Sequence, residues 1–189
     1  NRVREIVRTE PQAFDTTIEE TGVVPESAMA GLRRVGVFGT NTPKQHGGAG
    51  LSMLGSCLAI EELAKAHTAF YYLSGVNVHI GSKAIEFYAN PEIRRRWLPE
   101  LASGRVIGAF ALTESEAGSD AARIRTSVRR DGGHYVLNGK KTYITNAPVA
   151  GVFTVFATHD AAAGARGVSA FAIDAATPGL RIGRTIEMA

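Results

Sequence analysis

Up to Gly104, apolar residues recur at helical spacing; beyond it they bunch into short runs bounded by turn residues. Val3, Ile6 and Val7 form a stripe at helical spacing leading toward Phe14. Pro25 suits a first helical turn, Met29, Leu32 and Val35 follow three apart, and Gly36 stands where a left-handed cap belongs. Ser52 is placed to cap a helix carrying Leu54, Leu58 and Leu63 that runs to about His67, with Cys57 on its apolar side as a small buried hydrophobe. Phe70, Leu73, Val76 and Ile80 predict a further helix ended by Gly81. Asn90-Pro91 opens another, with Ile93, Trp97 and Leu101 facing in; Pro99 is expected to break or kink it and Gly104 to close it.

The second part reads as strands. Val106 to Leu112 is an apolar run, and Thr126 to Arg130 and His134 to Leu137 are joined across Asp131-Gly132-Gly133, a hairpin signal. Asn138-Gly139 leads into Lys140 to Thr145 as a second hairpin signal. Val152 to Thr158 and Val168 to Ile173 complete the set, and Leu180-Arg181-Ile182 opens one more strand after the turn at Pro178-Gly179. Helices followed by strands predict an α+β fold of two domains meeting near Val106. A sheet opening a strand so close to Ala189 is expected to lack its last partners, which predicts a fragment of a longer protein.

Composition narrows the function. The chain has 189 residues, 44% hydrophobic and 21% charged, which excludes a mostly disordered protein. Lys and Arg number 21 against 18 Asp and Glu, a net charge of +3, too small an excess for a nucleic-acid footprint. The single cysteine, Cys57, excludes a disulfide framework, and the five histidines show no ligand spacing, so no metal site is expected. No apolar run approaches the roughly 18 residues of a membrane span, and no basic start precedes an apolar stretch; the expectation is an intracellular, cytoplasmic protein.

Three stretches have compositions suited to chemistry. Phe38 to Ser52 is a glycine-dense loop between helices; it reads as a tight loop needing positive φ, because a phosphate cradle would want a preceding strand and a G-x-G-x-x-G spacing that it lacks. Ala111 to Asp120 follows an apolar strand with hydroxyls, glycine and backbone N–H groups, which suits a flat polar heterocycle or a phosphate, or equally a cap or Asx-type turn. Gly139 to Ala147 ends a strand in an aromatic, a hydroxyl and an amide, or is simply an exposed hairpin strand. Gly133 to Gly139 followed by Lys140 mimics a phosphate loop, but with five residues between the glycines instead of four.

Together these motifs resemble the acyl-CoA dehydrogenase family: Thr113-Glu114 with Ala117-Gly118-Ser119-Asp120, then Gly139-Lys140-Lys141 with Tyr143-Ile144-Thr145-Asn146. Gly31 to Gly39, Pro43 with His46 to Ser52, and Trp97 to Gly104 agree in order, so the resemblance covers essentially the whole chain. Ser115 stands where the family usually has proline, a change expected to loosen that turn.

The resemblance implies a helical N-terminal domain over residues 1–105 and an antiparallel β-barrel middle domain, incomplete here, over 106–189, with a four-helix C-terminal domain absent from this chain. It implies FAD as cofactor, held by Phe110, Ala111, Leu112, Thr113, Gly118, Ser119, Tyr143, Ile144 and Thr145, with Thr113 hydrogen-bonding the ring, Tyr143 stacked on it and Thr145 near N5. Ser119 would also meet an acyl-CoA substrate. The implied reaction removes an α-proton of the thioester while hydride leaves the β-carbon for the flavin. The base is expected from the C-terminal domain, so no catalytic residue is assigned here and neither Glu114 nor Glu116 is promoted. An electron acceptor such as an electron-transfer flavoprotein and a homo-oligomeric full-length form are also implied. Arg94-Arg95-Arg96 reads as a solvated helix face, or as an attractor of CoA phosphates. A flavin monooxygenase or oxidase of the same fold, and a non-catalytic binding module, are the alternatives.

Overall fold

The computed structural model describes residues 2–9 and 12–186, which divide into two compact units, Asn1–Ile107 and Gly108–Ala189. The first is built of helices: α1 (Arg2–Thr9), α2 (Gln12–Thr21), α3 (Glu26–Val35), α4 (Met53–Leu63), α5 (Thr68–Val76), α6 (Lys83–Tyr88) and α7 (Pro91–Ser103). Its core gathers Val3, Ile18, Met29, Leu32, Phe38, Leu63 and Phe70. Val3 and Val7 of the first stripe pack there; the side chain of Ile6 lies outside the described residues.

Capping places the helix ends where the sequence put them. Gly36 closes α3 at φ 76°, its N–H donating to the carbonyls of Arg33 and Leu32. Ser52 accepts from the Gly55 N–H at the start of α4, and Asn90 from the Ile93 N–H at the start of α7. Gly104 ends α7 at φ 71°, and any side chain there would run into the Phe38 ring. Pro99 does not break α7, which continues to Ser103; Leu98, Leu101 and Ala102 are all buried, and their packing offsets the bond proline cannot donate.

Helix α4 departs from expectation in two ways. It stops at Leu63 rather than near His67, because His67 caps the next helix, its Nδ1 accepting from the Ala69 N–H at 3.1 Å. Its inward face carries Ser56, Glu62 and Leu63, while Leu54 is 70% exposed and Cys57 is exposed rather than buried. Ser56 bonds the Thr40 hydroxyl at 2.8 Å and Glu62 pairs with Arg4 and Lys65, so polar contacts fix the orientation and Leu54, Cys57 and Leu58 look outward. After α5 the helix widens into a π-turn, Asn77–Gly81, with the Ser82 N–H reaching back to the Asn77 carbonyl. Buried Asn77 donates to the carbonyls of Phe38 and Leu101.

The second unit is a mixed sheet of five strands: β1 (Ile107–Ala111), β2 (Ser127–Asp131), β3 (His134–Asn138), β4 (Ala150–Thr158) and β5 (Val168–Asp174), ordered β1-β4-β2-β3 with β5 also on β4. The pairs β2–β3 and β4–β5 are antiparallel, whereas β2 and β4 touch in parallel only at Ser127–Thr158, and the sheet is not closed into a barrel. The expected hairpin at Asp131-Gly132-Gly133 forms, Asp131 facing His134. The second one does not: residues 139–145 form no strand. The reason is tertiary: Gly139 lies against Thr126 so closely that a Cβ would sit 2.7 Å from the Thr126 Cα, and the segment beyond is drawn to the end of β1. Leu180 to Ile182 likewise form no strand. No helix among the described residues is long and apolar enough to cross a membrane, and they contain no cluster of metal ligands.

Candidate flavin-loop site

β1 ends at Ala111, and the chain then turns tightly on itself. The Glu114 N–H donates to the Ala117 carbonyl at 3.0 Å and the Ala117 N–H returns to Glu114 at 3.2 Å, leaving Ser115 and Glu116 at the tip. With Ser115 at its tip the turn is closed by both backbone bonds.

Beneath that turn the Glu114 side chain is buried, with 8% of the residue exposed. Its carboxylate accepts from the N–H groups of Arg125 at 2.7 Å and Thr126 at 2.9 Å, from the Thr126 hydroxyl, and from Lys141 Nζ at 2.8 Å. Burial alone would raise this carboxyl, but the bonds from Lys141, Thr126 and Arg125 together outweigh it and hold it at about 2. Lys141 is shifted down by its own burial, partly offset by Glu114. Its ammonium also donates to the Leu112 carbonyl at 2.9 Å, and the Thr142 N–H donates to Thr113 at 3.0 Å. Two segments distant in sequence, 112–114 and 141–142, are thus laced together side by side.

The residues expected at the site fall around this joint. Ala111 is buried, Phe110 is half-buried with its ring 4.9 Å from that of Phe156, and Leu112 and Thr113 are half-buried. Gly118 and Ser119 are exposed, as is Thr145, with Ile144 half-buried. Tyr143 holds a left-handed backbone at φ 58° with 73% of the residue exposed. Asn146, also left-handed at φ 68°, is buried and its amide reaches the Gly108 carbonyl at 3.5 Å. Asparagine tolerates such backbone, whereas for a bulky residue like Tyr143 it is uncommon and costly. At Gly118 a Cβ would meet no atom of the chain and φ is not left-handed, so nothing in the fold itself requires glycine there.

Chemically the arrangement offers an exposed aromatic face and neutral hydroxyls on a braced frame. Glu114 itself is poorly suited to act as a base: it accepts four hydrogen bonds and stays ionised to about pH 2. Sequence reasoning missed Lys141 and Thr126 as the partners of Glu114; nothing in Lys140-Lys141 told the buried lysine from the exposed one.

The helical unit holds two other features. The glycine-dense loop is zipped to itself by Ala49 N–H to Gly39, Gly50 N–H to Thr42 and Leu51 N–H to Thr40, which supports its reading as a tight loop. A cleft of about 540 Å³ is lined by Met53, Cys57, Ile60, Tyr71, Val76 and Ile80, together with Glu61 and His79. Burial and the charge of Lys83 lower the His79 pKa, and its ring faces Ser56 and Asn41 at 3.4 and 3.5 Å.

Comparison with known proteins follows the same division. Residues 1–105 match the family model of the acyl-CoA dehydrogenase N-terminal domain and residues 109–189 that of the middle domain. A Bacillus subtilis protein named acyl-CoA dehydrogenase is 35% identical over 96% of this chain and 48% of its own length. Among solved structures, a chain from the study of the electron transferring flavoprotein of Acidaminococcus fermentans superposes with a TM-score of 0.93 at 30% identity, over 98% of this chain and 49% of that one. A glutaryl-CoA dehydrogenase from Mycobacterium smegmatis in complex with FADH2 gives a TM-score of 0.85 at 34% identity, over 94% and 45%. The chain spans about half the length of the curated relatives it matches.

Proposed function

We propose, because this chain belongs to the acyl-CoA dehydrogenase family, that it takes part in the FAD-dependent oxidation of an acyl-CoA thioester at its α and β carbons. The observation that carries the reading is the braced joint of residues 112–114 and 141–142, from which Tyr143 projects on a left-handed backbone.

The residues fit a flavin. An exposed tyrosine ring suits a flat heterocycle, and half-buried Thr113 with exposed Thr145 supplies neutral hydroxyls that hydrogen-bond a polar ring without adding charge. The open space at Gly118 gives a ligand close access to the main chain. Phe110, Ala111, Leu112 and Ile144 supply apolar surface beside them, and Ser119 is free to meet the thioester. When bound, FAD supplies the two-electron acceptor for the hydride that leaves the β-carbon. The α-proton requires a base, and Glu114 does not serve, being committed to its four donors. The apolar cleft in the helical unit has the volume and lining to take an aliphatic chain. Electrons would pass on to an acceptor such as an electron-transferring flavoprotein.

The test is to titrate the protein, expressed from its complete gene, with FAD and then, without oxygen, with a panel of acyl-CoA thioesters. Stoichiometric flavin bleached by at least one thioester is expected. Absence of bound flavin, or flavin that no thioester reduces, would overturn the reading.

A further inference from the structure

We propose that Glu114 and Lys141 act as a pair of positioning residues that set both the placement and the electrical neutrality of the flavin-facing loops; the inference rests on the flavin reading above. Three observations carry it. The pair is buried on both sides, the side chains being 9% and 10% exposed, and it lies immediately beside residues assigned to the cofactor rather than in the apolar core. One ammonium fixes two points of the first loop, the Leu112 carbonyl and the Glu114 carboxylate, bracketing Thr113 between them. The next bond, Thr142 N–H to the Thr113 carbonyl, sets the register of the residue preceding Tyr143.

A buried ion pair returns little net stability, because desolvating two charges costs about what their attraction gains. Its geometric consequence is larger. Without Lys141 the Leu112 carbonyl and Glu114 lose their common partner, and only the Thr142–Thr113 bond still ties the two segments at this point. Without Glu114 the ammonium is left as an uncompensated positive charge one residue from Thr113. In the intact pair the charges cancel, so the loops present a neutral frame to the ring. A net positive charge would favour the reduced, more negative flavin, and a net negative charge the oxidised form.

The experiment uses the full-length, FAD-loaded protein with Glu114→Gln, Lys141→Met and the double variant. Each single variant is expected to bind FAD about tenfold more weakly, the loss of one charge-assisted hydrogen bond. The flavin potential should move in opposite directions: upward in Glu114→Gln and downward in Lys141→Met. At a fixed applied potential each moves the reduced-to-oxidised ratio about tenfold, or about 30 mV for a two-electron couple. The double variant, with no charge left over, should return to the parent potential while still binding FAD weakly. A merely structural pair would weaken binding without moving the potential in opposite senses. Potentials that shift together, or not at all, overturn the proposal, as does unchanged FAD affinity in the singles. If Glu114→Gln does not fold, Lys141→Met against Lys141→Arg decides it: the arginine must restore the parent potential. Failure of the parent protein to bind FAD would instead sink the flavin reading beneath.

Discussion

Glu62 in the helical unit and Glu114 in the strand unit are both buried carboxylates, 6% and 8% exposed, and both are held at about 2. Their surroundings differ. Glu62 joins α4 to α1 through Arg4 and also pairs with nearby Lys65; these side chains are 49% and 54% exposed, and their hydrogen bonds lower the carboxyl against a smaller effect of burial. Glu114 is met by two backbone N–H groups, a buried hydroxyl and a lysine only 10% exposed. The partners of Glu62 can turn back to water if it is removed. Those of Glu114 cannot, and two of them are main chain. The same charge with the same pKa is thus a surface tie in one unit and a fixed joint in the other.

The largest test of that contrast is Glu114→Ala. Removing one member of a buried pair leaves the other desolvated and uncompensated, so unfolding by denaturant should show a loss of about 3–5 kcal/mol. Glu62→Ala should lose clearly less, and equal losses would break the comparison.

Acid gives the next effect. A carboxyl at about 2 in the folded state and 4.5 ordinarily contributes stability that is complete above pH 4.5 and is lost as the pH falls toward 2. For Glu114 this is on the order of 3 kcal/mol, using about 1.4 kcal/mol per unit. Glu114→Gln should flatten the stability profile in that window, while added salt should flatten only the part due to Glu62. A profile unchanged by Glu114→Gln would mean the carboxylate is not held as described.

The smallest effect compares two glycines of the strand unit. Gly139→Ala forces a Cβ onto Thr126 and should cost about 1–3 kcal/mol. Gly118→Ala meets nothing in the chain and should leave the melting temperature within the shift of about 0.5 kcal/mol, yet weaken FAD binding. A melting loss at Gly118 equal to that at Gly139 would show the loop is packed rather than open.

Much of this was legible because it is local. Gly36, Ser52, Asn90 and Gly104 act on backbone groups within one turn of themselves, so the helix ends could be read from single residues. The Asp131-Gly132-Gly133 turn is equally local. Thr113, Tyr143 and Thr145 stood out for composition and resemblance, and the structure puts Thr113 at the joint, with Tyr143 and Thr145 just beyond it. What was not legible depended on contacts far apart in the chain. Cys57 and Leu54 face out because Ser56 meets Thr40 and Glu62 meets Arg4, residues on other elements.

The sequence by itself determined that helices precede strands, where most of them begin and end, and which residue types stand at the loops proposed to face the flavin. Periodicity and capping are short-range, and the chain carries both in its own order. Only the tertiary structure decided that residues 139–145 leave the sheet, that Lys141 rather than Lys140 is buried, and that Glu114 is a joint instead of a base. Each of those outcomes turns on Thr126 and Lys141 arriving at the end of β1 from elsewhere in the chain. Burial then converts an ordinary glutamate into a charge that must be matched, and matching it fixes the loops around it.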